Sequence, residues 1–180
     1  MEKNLTQIAL FAALIAVLGL VPKIDLISGV PITAQSLGIM LCGTVLGARN
    51  GALAVLLFLF VTIAGLPLLS GGRGGLGVLA GPSVGYIIGF PIAAFVTGWI
   101  VEQWRTYVAL SATVAAFVGG FAVLNILGVI GMSVMLDKTL AEAALLALPF
   151  AAGDTIKSLI AGAVTAAIGR ARPEALLSRA

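Results

Sequence analysis

The sequence predicts an all-α integral membrane protein: six transmembrane helices forming a single domain over residues 1–180, with a glycine-rich lid loop between the third and fourth helices. Three observations predict it. Of 180 residues, 61% are hydrophobic and only 9% charged, where a soluble domain is about a quarter charged. A mean hydropathy of +1.19 leaves too little polar surface to cover a water-soluble globule. The apolar residues also fall into runs punctuated by proline and glycine, and at ~20 residues per crossing the chain has room for about six.

The first run, "LTQIALFAALIAVLGLV", extends from Leu5 to Val21 and is ended by Pro22. Its flank has no basic excess and no small-residue cleavage site follows, so it reads as a retained span and not a signal peptide. "PKIDLISGVPIT" is a loop with proline and glycine punctuation. Ala34 to Gly47, "AQSLGIMLCGTVLG", is short for a crossing and must tilt or lean on neighbours. "ARNG" is a turn signalled by Asn50-Gly51. "ALAVLLFLFVTIAGLPLL" is the third span, stopping near Pro67. "SGGRGGLGVLAG" cannot hold a helix, since each interior glycine costs ~1 kcal/mol. "PSVGYIIGFPIAAFVTGWIVEQW" is the fourth span, opened by Pro82, with Trp99 and Trp104 near its far interface. Tyr107 to Leu136 is the fifth, with Gly119-Gly120 as a bend, and Leu145 to Ile168 is the sixth, with Pro149 near its start.

Composition also excludes functions. The net charge of +3 is scattered over helix ends, the pattern of membrane topology and not of nucleic-acid binding. Cys42 is the lone cysteine, so no internal disulfide forms, and its apolar setting reads as packing. The chain has no histidine, which removes His-metal sites and Ser-His or Cys-His catalysis. No metal and no cofactor is expected. With both termini cytoplasmic, that side collects Lys3, Arg49, Arg105, Arg170, Arg172 and Arg179, against Lys23, Arg73 and Lys138 outside, which favours this orientation.

The candidate sites are polar groups that the apolar spans should not contain. In "ALPFAAGDTIKSLIAGAVTAAIG", Asp154 and Lys157 carry opposite charges three residues apart on one helix face. Each ionised side chain at mid-depth costs ~2.5–3.5 kcal/mol on the insertion scale. They form either a structural ion pair or a receptor for a ligand with both donor and acceptor groups, and intramembrane charge favours the second. Gly72, Gly74 and Gly77 mimic a dinucleotide fingerprint, but no βαβ unit surrounds them. Their loop either folds over a cavity, with Arg73 as a fork-shaped carboxylate receptor, or is a flexible outer hairpin. Gly81, Gly85 and Gly89 read as close helix packing. Tyr86 among them offers a ring and a hydroxyl. Asn125, and more weakly Gln35 and Ser36, either bond between helices or line a cavity. Ala9 and Ala13, beside Ala12 and Ala16, form small-residue stripes for internal packing or for docking another membrane protein.

Two long segments, "GLPLLSGGRGGLGVLAGPSVGYIIGF" and "PFAAGDTIKSLIAG", resemble those of BioY, the biotin-specific substrate-capture family of energy-coupling factor (ECF) transporters, and the resemblance covers nearly the whole chain. It implies a six-helix protein of a prokaryotic plasma membrane that binds biotin from outside and hands it over through a transmembrane coupling subunit and two cytoplasmic ATPases. Ser83 stands where the family more often has threonine, and the hydroxyl is preserved. Ala9 and Ala13 match the family's stripe of spaced alanines, which Val17 interrupts. The resemblance implies that Asp154 accepts from a ureido N–H and that Lys157 donates to the ureido oxygen or shields Asp154. Arg73 is then the expected partner of the tail carboxylate, assisted by amides of the Gly72–Gly74 loop, which would act as the lid. Tyr86 would pack on the rings. Without a Walker A motif the chain cannot itself drive uptake with ATP. Two rivals remain: a stand-alone ion- or proton-coupled carrier using Asp154, and, last, an intramembrane enzyme, for which the usual hydrolytic pairs are missing.

Overall fold

The computed structural model describes residues 2–179, and among them it forms helices and two isolated bridge pairs but no strand. In chain order these are α1 (Glu2–Leu18), α2 (Gln35–Ile63), α3 (Val84–Gln103), α4 (Val108–Ala116), a π-helical stretch (Phe117–Val123), α5 (Leu124–Met135) and α6 (Leu140–Ala171). Short 3-10 turns lie at Leu76–Ala80, Pro173–Ala175 and Leu177–Arg179. Four stretches are long and apolar enough to cross a bilayer: α2, α3, the continuous run Val108–Met135, and α6. Large side chains such as Leu10, Phe60, Ile92, Ile126 and Leu159 point outward, as expected of helices whose surroundings are hydrocarbon.

The second and third expected spans are joined in α2, and the break falls at Gly47, not at Asn50-Gly51. Gly47 has φ +84°, open to glycine and strained for other residues. The chain reverses there. A Cβ on Gly51 would stand 2.6 Å from the carbonyl oxygen of Cys42, although a straight helix would separate those residues by about 14 Å. Asn50 continues a helix because the glycine three residues earlier has already made the turn.

Two of the backbone groups freed by this break find side-chain partners. In an uninterrupted helix the Ala48 N–H would donate to the Thr44 carbonyl. Instead it donates to Glu102 Oε1 at 2.8 Å, from the end of α3. The Thr44 carbonyl accepts from Ser178 Oγ at 2.6 Å, from the last turn of the chain. Glu102 thus caps the second half of α2, where a negative charge also suits the helix dipole. Gln7 donates to the Ala175 carbonyl at 3.5 Å. The two chain ends, the Gly47 bend and the α3–α4 junction therefore share one face of the bundle, and the loops 19–34, 64–83 and 136–139 form the other.

Two further boundaries differ from expectation. α6 begins at Leu140, not Leu145, because Thr139 and Glu142 form a capping box, with Glu142 N bonded to Thr139 Oγ1 at 3.3 Å and Thr139 N to Glu142 Oε2 at 2.9 Å. Pro149 therefore lies inside α6 and does not open it. The bend expected at Gly119-Gly120 is a π-helical segment, a form that recurs at functional sites. Its glycines let it press on α3 and α2: a Cβ on Gly119 would meet the Ala93 carbonyl, and one on Gly120 the Met40 side chain. Gly85 of α3 likewise lies against the backbone of Leu127 and Gly131, so α3 and α5 approach to backbone contact.

Candidate functional site

Asp154 is 3% exposed, near the middle of α6, and its partners come from three helices. Lys157 Nζ donates to Asp154 Oδ1 at 2.9 Å, with the carboxylate buried and the lysine side chain 14% exposed. Ser36, in the first turn of α2, donates to the same oxygen at 3.1 Å and accepts from Lys157 Nζ at 2.8 Å. Asn125 of α5 donates to Asp154 Oδ2 at 3.4 Å and to the Phe121 carbonyl at 2.9 Å. Tyr86 of α3 donates its hydroxyl to Asn125 Oδ1 at 3.1 Å. Below the hydroxyl its ring packs on Phe150, with centroids 5.4 Å apart, in the range for favourable aromatic pairs. Gly128 makes room for that ring: a Cβ there would run into it.

Ser36, Tyr86, Phe150, Asp154 and Lys157 border a space of about 50 Å³, walled also by Val30 and Pro31 of the first loop, Arg73 and Ser83 of the glycine-rich loop, and Phe90. That is room for a few waters at ~10–15 Å³ each and less than the ~300 Å³ at which small-molecule sites begin. The chamber is drawn tight around its polar lining. Hydrogen-bonding capacity nevertheless remains: the Lys157 ammonium has a further donor and the Asp154 carboxylate a further lone pair. Arg73 donates from Nε to the Ser70 carbonyl and from Nη1 to Ser83 Oγ, both at 3.3 Å, which leaves part of its fork free to receive a planar anion.

The loops above the chamber hold one another. Backbone bridges close each of them, Ile24 with Ile32 and Leu69 with Arg73. Gly29 of the first loop lies against Pro82, and Gly71 against the Lys23 side chain. Lys23 is itself ion-paired with Asp25.

The structure therefore brings Asp154, Lys157, Tyr86 and Asn125 into one network and sets Arg73 in its wall. It gives the other expected residues different surroundings. Gln35 borders the chamber, but its amide is already engaged, donating to the carbonyls of Ile15 and Leu68 and accepting from Ser70 N. It ties the glycine-rich loop to the end of α1. Gly72 and Gly74 line a separate outer hollow of about 340 Å³, which meets the chamber only through Arg73 and Ser83. Ala9 and Ala13 are exposed on the outer side of α1, away from the chamber. Ser36, the neighbour of Gln35 and its equal in the sequence reading, is the residue that bonds both charges. The sequence offered only adjacent polar residues at the head of an apolar run, and helix phase decides which of the two turns inward.

With this geometry in place, comparison with known proteins is direct. A family model described as BioY family matches residues 2–174. A biotin transporter BioY of Rhodobacter capsulatus is 49% identical over 99% of this chain and the whole of its own length. One from Rhizobium etli is 43% identical, covering 94% of this chain and 92% of that protein. A crystal structure of the S-component for biotin from an ECF-type ABC transporter superposes with a TM-score of 0.88 at 29% identity, over 94% of this chain and 92% of that one. With the family model spanning nearly the full length and a relative identical at about half of the aligned positions, the chain belongs to the BioY family.

Proposed function

We propose that this protein is the biotin-capturing subunit of an ECF transporter, a transport component and not an enzyme, and that the chamber around Asp154 and Lys157 is where biotin binds. The observation that carries the reading is an ion pair buried among four helices with unused hydrogen-bonding capacity. A purely structural pair has no need of a chamber, whereas a ureido ring offers the N–H donors and carbonyl acceptor that would complete this one. Asp154 accepts from a ureido N–H, Lys157 serves the ureido oxygen or shields Asp154, Tyr86 and Phe150 face the rings, and Arg73 receives the carboxylate. Because a ligand lacking those groups would leave buried charge unmatched, discrimination should be strong.

The finer architecture follows the same reading. α1, the two halves of α2, α3, the run from α4 to α5, and α6 make six crossings, with both termini on the cytoplasmic side where arginines gather. The glycine-rich loop is the lid: Gly71, Gly72 and Gly75 at positive φ give a backbone that can be lifted from a chamber too small for the ligand in its present form. Ala9 and Ala13 face a transmembrane coupling subunit, through which two ATPase subunits act.

The test is biotin binding to the purified chain. Wild type should bind, and Asp154→Asn and Lys157→Ala should each weaken binding by about 100-fold, the scale of a lost hydrogen bond to a buried charge. Unchanged affinity in both variants rules out the site. The stand-alone carrier is tested in vesicles, where uptake driven by a pH or sodium gradient without ATPase would favour it.

A further inference from the structure

Between α5 and α6 lies a second space, about 590 Å³ and open to the side of the bundle, that the chamber does not use. It exists because α6 presents Ala144, Ala147 and Ala151 along one stripe toward Ala122 of the π-helical stretch, and small side chains leave a channel between the helices. Ile126, Ile130, Leu140 and Leu148 form its rims and are exposed. Asn125 is the polar residue of its lining, and the amide of that residue reaches Asp154 Oδ2 on the chamber side. A single layer of side chains thus separates the groove from the charged pair.

The dimensions of the groove point to its occupant. Along α5 and the π-helical stretch it runs from Ile130 to Phe121, and along α6 from Leu140 to Ala151, which at ~1.5 Å per residue is about 14–17 Å. Half of a ~30 Å hydrocarbon core is about 15 Å. The groove starts beside the loop at 136–139, on the face opposite the chain termini, and so spans one leaflet. At that mouth stands Lys138, exposed and outside the two ion pairs found among the described residues, next to Asp137 in the chain and within electrostatic reach of Glu142. An apolar slot one leaflet long with a cation at its head has the form of a phospholipid.

We propose that the α5–α6 groove holds an acyl chain of a phospholipid from the leaflet opposite the chain termini, with the lipid phosphate at Lys138, and that this chain braces Asn125 against Asp154. The Asn125–Asp154 bond is long at 3.4 Å, and a filled groove resists the outward swing that would lengthen it further. The lipid is then a partner of the binding site without entering it.

Native mass spectrometry of the detergent-purified protein, titrated with phosphatidylglycerol, reads the lipid directly. Wild type should retain one phospholipid that Ala144→Trp and Ala151→Phe do not. Lys138→Glu should weaken its retention by about tenfold, and thermal unfolding should show each variant folded. Equal lipid retention in wild type and both groove-filled variants overturns the proposal. The bracing arm rests on the biotin reading: adding phosphatidylglycerol to delipidated wild type should tighten biotin binding by about tenfold, the scale of one hydrogen bond to a charged group, and should do nothing in Ala144→Trp. Affinity unaffected by lipid in wild type overturns the bracing. Failure of wild type to bind biotin at all refutes the proposed function instead, and the lipid count still decides the groove.

Discussion

The Gly47 break and the Asp154 cluster both bury polar groups among helices, and they do it for different reasons. At Gly47 the buried groups are backbone, and two of them have dedicated distant partners: the Ala48 amide bonds Glu102, and the Thr44 carbonyl bonds Ser178. No cavity is needed because little is left to satisfy. At Asp154 the buried groups are ionised side chains that share partners, Ser36 bonding both members of the pair, and a free space adjoins them. The first arrangement completes a helix that had to turn. The second places charge where the fold alone has no use for it. On the proposed reading, dedicated partners mark scaffolding, and a buried network with capacity left beside a cavity marks a receptor.

The comparison is broken most decisively at the pair itself. Asp154→Leu alone leaves the Lys157 ammonium buried without its carboxylate and should cost about 3–5 kcal/mol of stability. The double variant Asp154→Leu with Lys157→Met removes both charges and should return to within about 1 kcal/mol of wild type, since well-packed apolar replacements of buried pairs are often neutral. Biotin binding should be lost in both. Denaturant unfolding in detergent alongside calorimetry with biotin separates the outcomes. A double variant as unstable as the single one means that the charges hold the fold together, and the contrast with Gly47 disappears.

Next in size is Gly128→Ala. The added methyl enters the ring of Tyr86, and overpacking of this kind costs about 1–3 kcal/mol. Because the ring carries the hydroxyl that holds Asn125, biotin affinity should also fall, by about tenfold. A stability loss with unaltered affinity would detach Tyr86 and Asn125 from the binding network.

What the sequence made legible follows from cost. A charge in hydrocarbon is expensive enough to be seen from composition alone, so Asp154 and Lys157 were identifiable before any geometry, and Tyr86 and Asn125 followed as polar groups in apolar runs. Ser36 and Gln35 differ only in helix phase, which the sequence leaves open where every face is apolar: both border the chamber, and Ser36 alone bonds the charged pair. The Gly47 break was hidden for the same reason: glycine at 47 and Asn50-Gly51 are both turn signals, and tertiary contacts from Glu102 and Ser178 select the first. The early start of α6 was readable in principle, since Thr139 and Glu142 stand at capping-box spacing. Pro149 drew attention away from it. The α5–α6 groove had no sequence signal, because alanine stripes serve close packing as readily as they leave space.

The smallest effects belong to the scaffold and sharpen the comparison from its other side. Glu102→Ala removes a charged cap and should cost about 1–2 kcal/mol, and Glu102→Gln, which keeps an acceptor oxygen, less than half of that. Ser178→Ala deprives the Thr44 carbonyl of its donor, and a neutral hydrogen bond of this kind is worth about 0.5–1.5 kcal/mol. Neither residue approaches the chamber: Glu102 closes α3 at the face of the chain termini, and Ser178 lies in the last turn on that same face. Biotin affinity measured on the folded fraction should therefore equal wild type in all three variants while the unfolding midpoint falls. If Ser178→Ala instead changes affinity, then the α2 hairpin transmits strain from the Thr44 carbonyl to Ser36 at its head, about eight residues and two helical turns away, and the two regions are parts of one device.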